Sequence, residues 1–365
     1  MAYTNIDDPS AYFHTQIWTG NSGYTVNVVN DANSGDFQPD LIWAKDRVNA
    51  YNHDLVDSSR GPTVAFHPNT DAAEYTRTQS NYDFTSFNSN GFTTGAPDFT
   101  NSFGGNNQTN GKVAWQWKAN GGTTASNTDG DITSTVQVNT DAGFSIVTYT
   151  GNTSNNQTVG HGLGAVPGFI LIRNRTRAES WRLNNHAINN GTGMIIVNST
   201  AAYNTTGTTL MNVAPTSSVF SVSTDWSVNG NYPFVAWCWA EKQGYSKFGK
   251  YVGNGSADGP FVYTGFKPAF VMVKNSSGGV GHWTMYDNKR AATNLNNKKL
   301  AANLTEAEND NAQLGGDAYG IDFLSNGFKI RLTGNNHNVS AATYIFMAFA
   351  ENPLVTSTGV PTTAR

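Results

Sequence analysis

Pro39-Asp40-Leu41-Ile42-Trp43-Ala44-Lys45-Asp46, Pro167-Gly168-Phe169-Ile170-Leu171-Ile172-Arg173-Asn174 and Pro268-Ala269-Phe270-Val271-Met272-Val273-Lys274-Asn275 are one phrase written three times. Each opens on proline, continues with a small or polar residue and an apolar run, and ends on a base followed by Asp or Asn. A short apolar run rich in β-branched and aromatic side chains predicts a strand covered on both faces, with proline at its start, where no ladder donor is needed.

Other signals keep the same order around each phrase. Ahead of it stands an aromatic-x-Gly: Trp18-Thr19-Gly20, Tyr149-Thr150-Gly151 and Tyr251-Val252-Gly253. Behind it comes a second short strand: Asp54–Asp57, Trp181–Asn184 and Trp283–Tyr286. Asn-led patches follow at Asn69, Asn198 and Asn303; in the third, Thr305 and Glu308 have capping-box spacing and predict one helical turn. Asn90-Gly91 and Asn326-Gly327, each flanked by apolar residues, predict hairpins with type I′ turns. The second copy lacks that pair and needs another turn. Each copy closes on an aromatic strand, Val113–Lys118, Val235–Ala240 or Ile345–Ala350. Trp115 with Trp117, Trp237 with Trp239, and Phe346 or Met347 with Phe349 then fall on or near a core-facing side.

The expected fold is all-β: three tandem sandwich-like repeat domains, jelly-roll or lectin-like, with short helical turns only. Residues 1–120 form the first repeat with an N-terminal arm, 121–142 a Gly/Thr/Ser/Asn-rich linker, 143–242 the second repeat, 243–353 the third and 354–365 a loose tail. Periodicity leaves two arrangements open, separate beads or one body with internal pseudo-threefold symmetry.

Charged residues are only 13% of the 365, the net charge is −4, and Lys and Arg do not cluster, which argues against nucleic-acid binding. No apolar stretch is long enough to span a bilayer as a helix, and the start has no signal-peptide pattern, so synthesis in a cytoplasm is expected. A single cysteine, Cys238, leaves no intrachain disulfide and no cysteine-based metal cluster. No cofactor is expected. Asn-x-Ser/Thr triplets are read as chance products of the composition.

The segments Asp8–Phe13, Gln38–Lys45, Gly160–Pro167 and Gly253–Phe266 resemble an uncharacterised repeat family of virion proteins from bacteriophages of marine bacteria. The resemblance spans Asp8 to Pro353. It implies a virion structural protein, a tail fibre, spike or appendage, without implying any particular site residue.

Few residues invite a chemical reading. His161 between glycines reads as a turn cap or packing residue before a ligand. Asp57 with Arg60 and Asp287 with Arg290 share a spacing that reads as a local salt bridge, and the second copy has Asn185 and Ile188 there. Asp71 with Glu74 could be a glycosidase-type carboxylate pair, but acidic residues at a helix start explain the patch as well. Asn127-Thr128-Asp129-Gly130-Asp131 only faintly resembles a calcium loop, because its glycine is misplaced and no acid closes it. His53, Trp181 and Trp283 occupy comparable positions; exposed, they would form a sugar-stacking platform, while buried they would be core.

Two functions remain from this reading. One is a virion appendage that binds a host-surface glycan through loops; the other is an architectural or decoration protein contacting other virion subunits. A polysaccharide-degrading enzyme is a third and weaker alternative. A weakly charged, aromatic-rich surface favours self-association, with a trimer expected by analogy with phage fibres. Ile6, Tyr12 and Phe13 in the arm are the expected docking residues.

Overall fold

The computed structural model describes residues 2–21, 26–30, 36–76, 84–95, 109–204, 211–277, 281–308 and 320–361. Antiparallel strands dominate them. Helices are confined to single turns at Pro9–Ala11, Asn189–Gly191 and Trp226–Asn229.

One sheet topology is built three times. In the first repeat the large sheet is ordered Phe13–Thr19, Gly111–Trp117, Leu41–Asp46, Asp54–Asp57, Val64–Phe66 and Tyr75–Thr76. The second repeats that order as Phe144–Thr150, Pro233–Ala240, Pro167–Asn174, Arg182–Asn185 and Ile195–Ile196. The third runs Ser246–Val252, Thr343–Pro353, Phe266–Asn275, Thr284–Asp287 and Leu300–Ala301. Thus the strand that closes each repeat lies between its first strand and the proline-led strand. A smaller sheet packs on each: Val26–Val29 with Gly91–Thr94 and Ser86–Asn88, Gln157–Gly160 with Val219–Val222, and Phe261–Tyr263 with Gly327–Ile330 and Ile321–Leu324.

The proline-led strands have no solvent face because their alternate residues enter two different cores. Ile42 and Ala44, Ile170 and Ile172, and Val271 and Val273 face the sandwich interior of their own repeat. Leu41 and Trp43, Phe169 and Leu171, and Phe270 and Met272 face a single core shared by all three repeats. The closing strands divide the same way: Trp115 and Trp117, Trp237 and Trp239, and Met347 and Phe349 enter the shared core, while Phe346 turns to its own sandwich. Aromatic contacts cross every boundary, with Trp117 against Trp239 at 5.9 Å between ring centroids, Trp117 against Phe349 at 5.7 Å and Phe169 against Phe248 at 5.9 Å. Only about 10 Å³ stays empty at the centre, no more than about one water-sized sphere. The repeats therefore form one body around a common core, the second of the two arrangements the periodicity allowed.

Several local expectations change. The stretch read as a linker contributes Ala125–Asn127 and Ser134–Asn139 to the second repeat's large sheet, because Val136 and Val138, two residues apart, present one apolar side to it. Part of the tail is held, with Asp7 accepting from the Ser357 amide at 2.6 Å; residues 362–365 lie outside the described residues. The Asn-Gly pairs are not the turn centres. Asn88 pairs with Gly91 and Leu324 with Gly327, so the turns are Ser89-Asn90 and Ser325-Asn326, and neither asparagine has a positive φ. The glycines are there for another reason: a Cβ on Gly91 would lie 2.0 Å from the Val28 carbonyl oxygen, and one on Gly327 would lie 2.1 Å from that of Val262. Thr305 and Glu308 start no helix, since the Glu308 carboxylate is held by arginines instead of its own backbone.

Candidate functional site

The described residues place most of their unusual chemistry at the three junctions between repeats. A backbone bond is common to all: Glu74 N–H donates to Arg175 O at 2.9 Å, Tyr203 N–H to Ser276 O at 2.9 Å and Glu308 N–H to Arg47 O at 2.7 Å. The Asn-led patch of one repeat is thereby tied to the residue two beyond the base of the next proline-led strand, and the third repeat is tied back to the first.

Trp181, Trp283 and His53 serve this same tie. Trp181 Nε1 donates to Thr70 O at 3.0 Å and Trp283 Nε1 to Ile196 O at 3.1 Å. His53 accepts from Trp43 Nε1 at its Nδ1, 3.0 Å away, which leaves its Nε2–H to donate to Ala301 O at 3.0 Å. All three side chains are enclosed, at 0–1% exposure, and burial holds the His53 pKa well below the usual imidazole value. As placed they are packed junction residues, and a sugar has no ring face of theirs to stack on. The strand bases join them: Arg173 donates to the carbonyls of Asp71 and Ala72 at 2.7 and 2.5 Å, and Lys274 to that of Thr200 at 3.0 Å. Lys45 instead donates to Asp46 O and Asn49 O in its own repeat. Burial lowers the pKa of all three, Arg173 to about 10, Lys274 to about 8 and Lys45 to about 7.

Two junctions carry a buried ionic chain. Between the first and second repeats, Trp237 Nε1 donates to Asp57 at 3.2 Å, Asp57 pairs with Arg60 at 2.7 Å, Arg60 reaches Glu74 at 3.1 Å, and Glu74 binds Arg175 of the second repeat at 2.8 Å. Between the third and first, Trp115 Nε1 donates to Asp287 at 3.1 Å. Asp287 pairs with Arg290 at 2.5 Å, Arg290 lies 3.3 Å from Glu308, and Glu308 binds Arg47 at 2.8 Å. The guanidinium lies over the tryptophan ring each time, 5.5 Å from the Trp237 centroid and 5.4 Å from that of Trp115. Burial opposes ionisation of Glu308, but Arg47 and Arg290 still bring its pKa below the ordinary carboxylate range.

The junction between the second and third repeats has Asn185, Ile188, Tyr203, Ser276 and Met347 at those five places. The exchange is coherent. A carboxylate that accepts from an indole and a guanidinium is absent together with both donors, so none of these five places holds a charge without its partner. This coupling was readable only in part: the Asp/Arg spacing and its loss in the second copy are visible in sequence, but not which repeat faces which. Arg47, Glu308 and Arg175 were therefore missed.

The remaining candidates have ordinary structural roles. Glu74 of the proposed carboxylate pair is held by Arg60 and Arg175. His161 is buried, accepts from the Leu163 N–H at Nδ1 and contacts Thr216 O through Nε2, as expected of a turn cap. Asp131 is bound to Thr158, and no cluster of three His, Cys, Asp or Glu suited to a metal occurs among the described residues. Cys238 is buried, and burial raises its thiol pKa. Of the expected docking residues, Phe13 stacks on Phe349 at 4.8 Å inside the shared core, Ile6 is buried with it, and half-buried Tyr12 packs on Tyr245. The arm is thus part of its own chain's core, because β pairing of Phe13–Thr19 with Gly111–Trp117 carries it inward.

An open cleft of about 420 Å³ lies beside this arm, walled by Tyr3, Asn5, Tyr12, Asp141, Lys242 and Gln243. Tyr3 is fixed there by donating to Gly265 O at 2.7 Å, and Thr4 by donating to Gln243 O at 2.7 Å.

No curated protein and no solved structure matches this chain. One sequence family does, a domain of unknown function, and its profile covers residues 8–353, from the arm through the end of the last strand. The chain belongs to the DUF7483 family.

Proposed function

We propose that the chain is a structural protein of a bacteriophage virion, a tail fibre, spike or surface appendage that engages the host surface through its loops. The observation that supports this most directly is the placement of its buried charges. Asp57, Arg60, Glu74, Asp287, Arg290 and Glu308 are bonded to one another and across junctions, so they brace a body instead of facing a substrate. The resemblance of residues 8–353 to phage virion proteins supplies the setting. The cleft beside the arm is the recess best suited to a glycan: Tyr3 and Tyr12 offer ring surface, while Asn5, Asp141 and Gln243 offer partners for hydroxyl groups.

The test is saturable binding of fluorescently labelled protein to bacterial cells, with competition against phage adsorption. Binding that Asp141→Ala weakens supports the appendage reading. Saturation of virions with no affinity for any host cell replaces it with the purely architectural one. New reducing ends on host polysaccharide would replace both with an enzyme.

A further inference from the structure

In the second repeat the outer edge of Phe144–Thr150 is occupied by Ser134–Asn139, which adds a strand to the large sheet. Val136 is buried there beside Val159 and Leu163, with Val138 packed against the same core. Ser246–Val252 is the corresponding strand of the third repeat, since Phe144 faces Trp239 and Ser246 faces Phe349 on the closing strands. Among the described residues its outer edge has no partner strand, apart from a single bridge between Lys242 and Ser246. The place held by the valines in the second repeat is here a groove of about 240 Å³, lined by Lys247, Gly249, Tyr251, Phe261, Tyr263 and Phe346. Phe261 and Tyr263 are 45% and 54% exposed on it.

We infer that this groove receives one extended strand of a partner polypeptide, carrying β-branched apolar residues two apart and an acidic residue toward Lys250. At Phe248 the edge is held by side chains, its N–H donating to Glu241 at 2.9 Å and its carbonyl accepting from His186 at 2.6 Å; an added strand pairs with the main-chain groups of Lys250 and Val252 and displaces those two side chains, while its alternate side chains fill the groove. The second repeat shows how this chain meets that demand. The third differs in a way that fixes the number of strands. In the second repeat the cover is two strands deep, and a Cβ on Gly160 would lie 1.6 Å from the Asn127 Oδ1 of the outer strand. Val159 faces Phe220 as Val262 faces Phe328, so Tyr263 stands at the place of Gly160. The phenol ring excludes an outer strand and leaves room for one. The charge of the partner follows from the edge: Ser246–Val252 contains Lys247 and Lys250 and no acid, and while Lys247 is paired with Glu241 at 2.8 Å, Lys250 is exposed at the groove.

The inference does not depend on the virion reading. It is tested on the full chain with a synthetic peptide of the sequence of residues 134–141 carrying Thr135→Asp, because Thr135 faces Thr148, the counterpart of Lys250, and with the same peptide carrying Val136→Ser and Val138→Ser as well. At millimolar concentration the valine peptide should slow amide exchange of Lys250 and Val252 at least tenfold and saturably, and the serine peptide should not. Lys250→Glu in the full chain, an exposed change, should weaken the effect at least threefold. No slowing, equal slowing by both peptides, or slowing confined to another segment would overturn the inference. Saturable protection of Phe261–Tyr263 by a short oligosaccharide, with neither peptide acting, would overturn it in favour of a sugar site.

Discussion

The junction between the first and second repeats and the junction between the second and third share a backbone bond, a buried tryptophan donor and a strand base bound to carbonyls, yet differ in what fills the space between. One is filled by Asp57, Arg60, Glu74, Arg175 and Trp237, and the other by Asn185, Ile188, Tyr203, Ser276 and Met347. The lesson is that the fold requires the backbone tie and the apolar face, while the ionic chain is one of two self-consistent fillings. A buried ion pair is not in itself a large source of stability, because desolvation offsets most of the attraction; removing half of it is what costs.

The largest effect should come from removing junctions altogether. Deleting residues 245–365 strips the shared core of Phe270, Met272, Met347 and Phe349 and leaves Trp117 and Trp239 uncovered. The expected result is loss of cooperative unfolding in calorimetry. A soluble fragment with a sharp transition would show that the first junction is sufficient and the common core dispensable.

Single substitutions then separate the two fillings. Asp57→Ala leaves Arg60 and Arg175 to share the single carboxylate of Glu74 and the Trp237 indole without its acceptor, and should cost about 3–5 kcal/mol in urea unfolding. Asn185→Ala removes one neutral acceptor, used by the Ala187 amide, and should cost about 1–3 kcal/mol. Equal losses would refute the distinction. Transplanting all five neutral residues into the first junction should change stability by less than Asp57→Ala alone does, with a gain of about 1–4 kcal/mol within range. A fivefold variant that is worse than the single one would mean that the neutral filling depends on its surroundings.

Acid should act unevenly. His53 and His161 are held below the ordinary imidazole pKa by burial, and His337, between the hydroxyls of Thr284 and Tyr286, is pushed down to about 3. The unfolded imidazole takes up a proton below about 6.5 while folded His337 stays neutral to about 3, so the unfolded state binds more protons in that window and stability falls as pH falls. Each histidine that remains neutral should cost about 1.4 kcal/mol at pH 5.5, one unit below its unfolded value. His186, whose pKa Glu241 raises, offsets part of the loss. Because His53 stands where the other repeats have tryptophan, amide exchange corrected for its intrinsic pH dependence should rise more around Leu300–Ala302 than around Ile195–Val197 between pH 7.5 and 5.5. Equal rises would remove the imidazole as the acid-sensitive part.

The strands were legible because a four-residue apolar run has few alternatives, and the threefold order of signals was legible because every copy keeps it. What the sequence concealed was mostly a matter of facing. Trp181 and Trp283 have the same local pattern whether they meet solvent or a neighbouring repeat. Gly91 looks like a turn residue until the Val28 carbonyl, remote in sequence, is placed against it. Phe13 precedes the first repeated signal and looked spare, yet one β pairing brings it to Phe349. The ionic chain was visible as Asp57 and Arg60, three positions apart, and invisible as Arg47 and Glu308, which are 261 residues apart.

That last separation also bears on how the chain reaches its native state. Two of the three junctions join consecutive repeats, but the one through Trp115, Asp287, Arg47 and Glu308 joins the first repeat to the third across 172 and 261 residues. It cannot form until Glu308 has left the ribosome, and such long-range closure is intrinsically slow. During synthesis the first two repeats must wait with one flank of tryptophan and phenylalanine exposed, so the interval before closure is when the nascent protein most needs a chaperone and is most prone to aggregate.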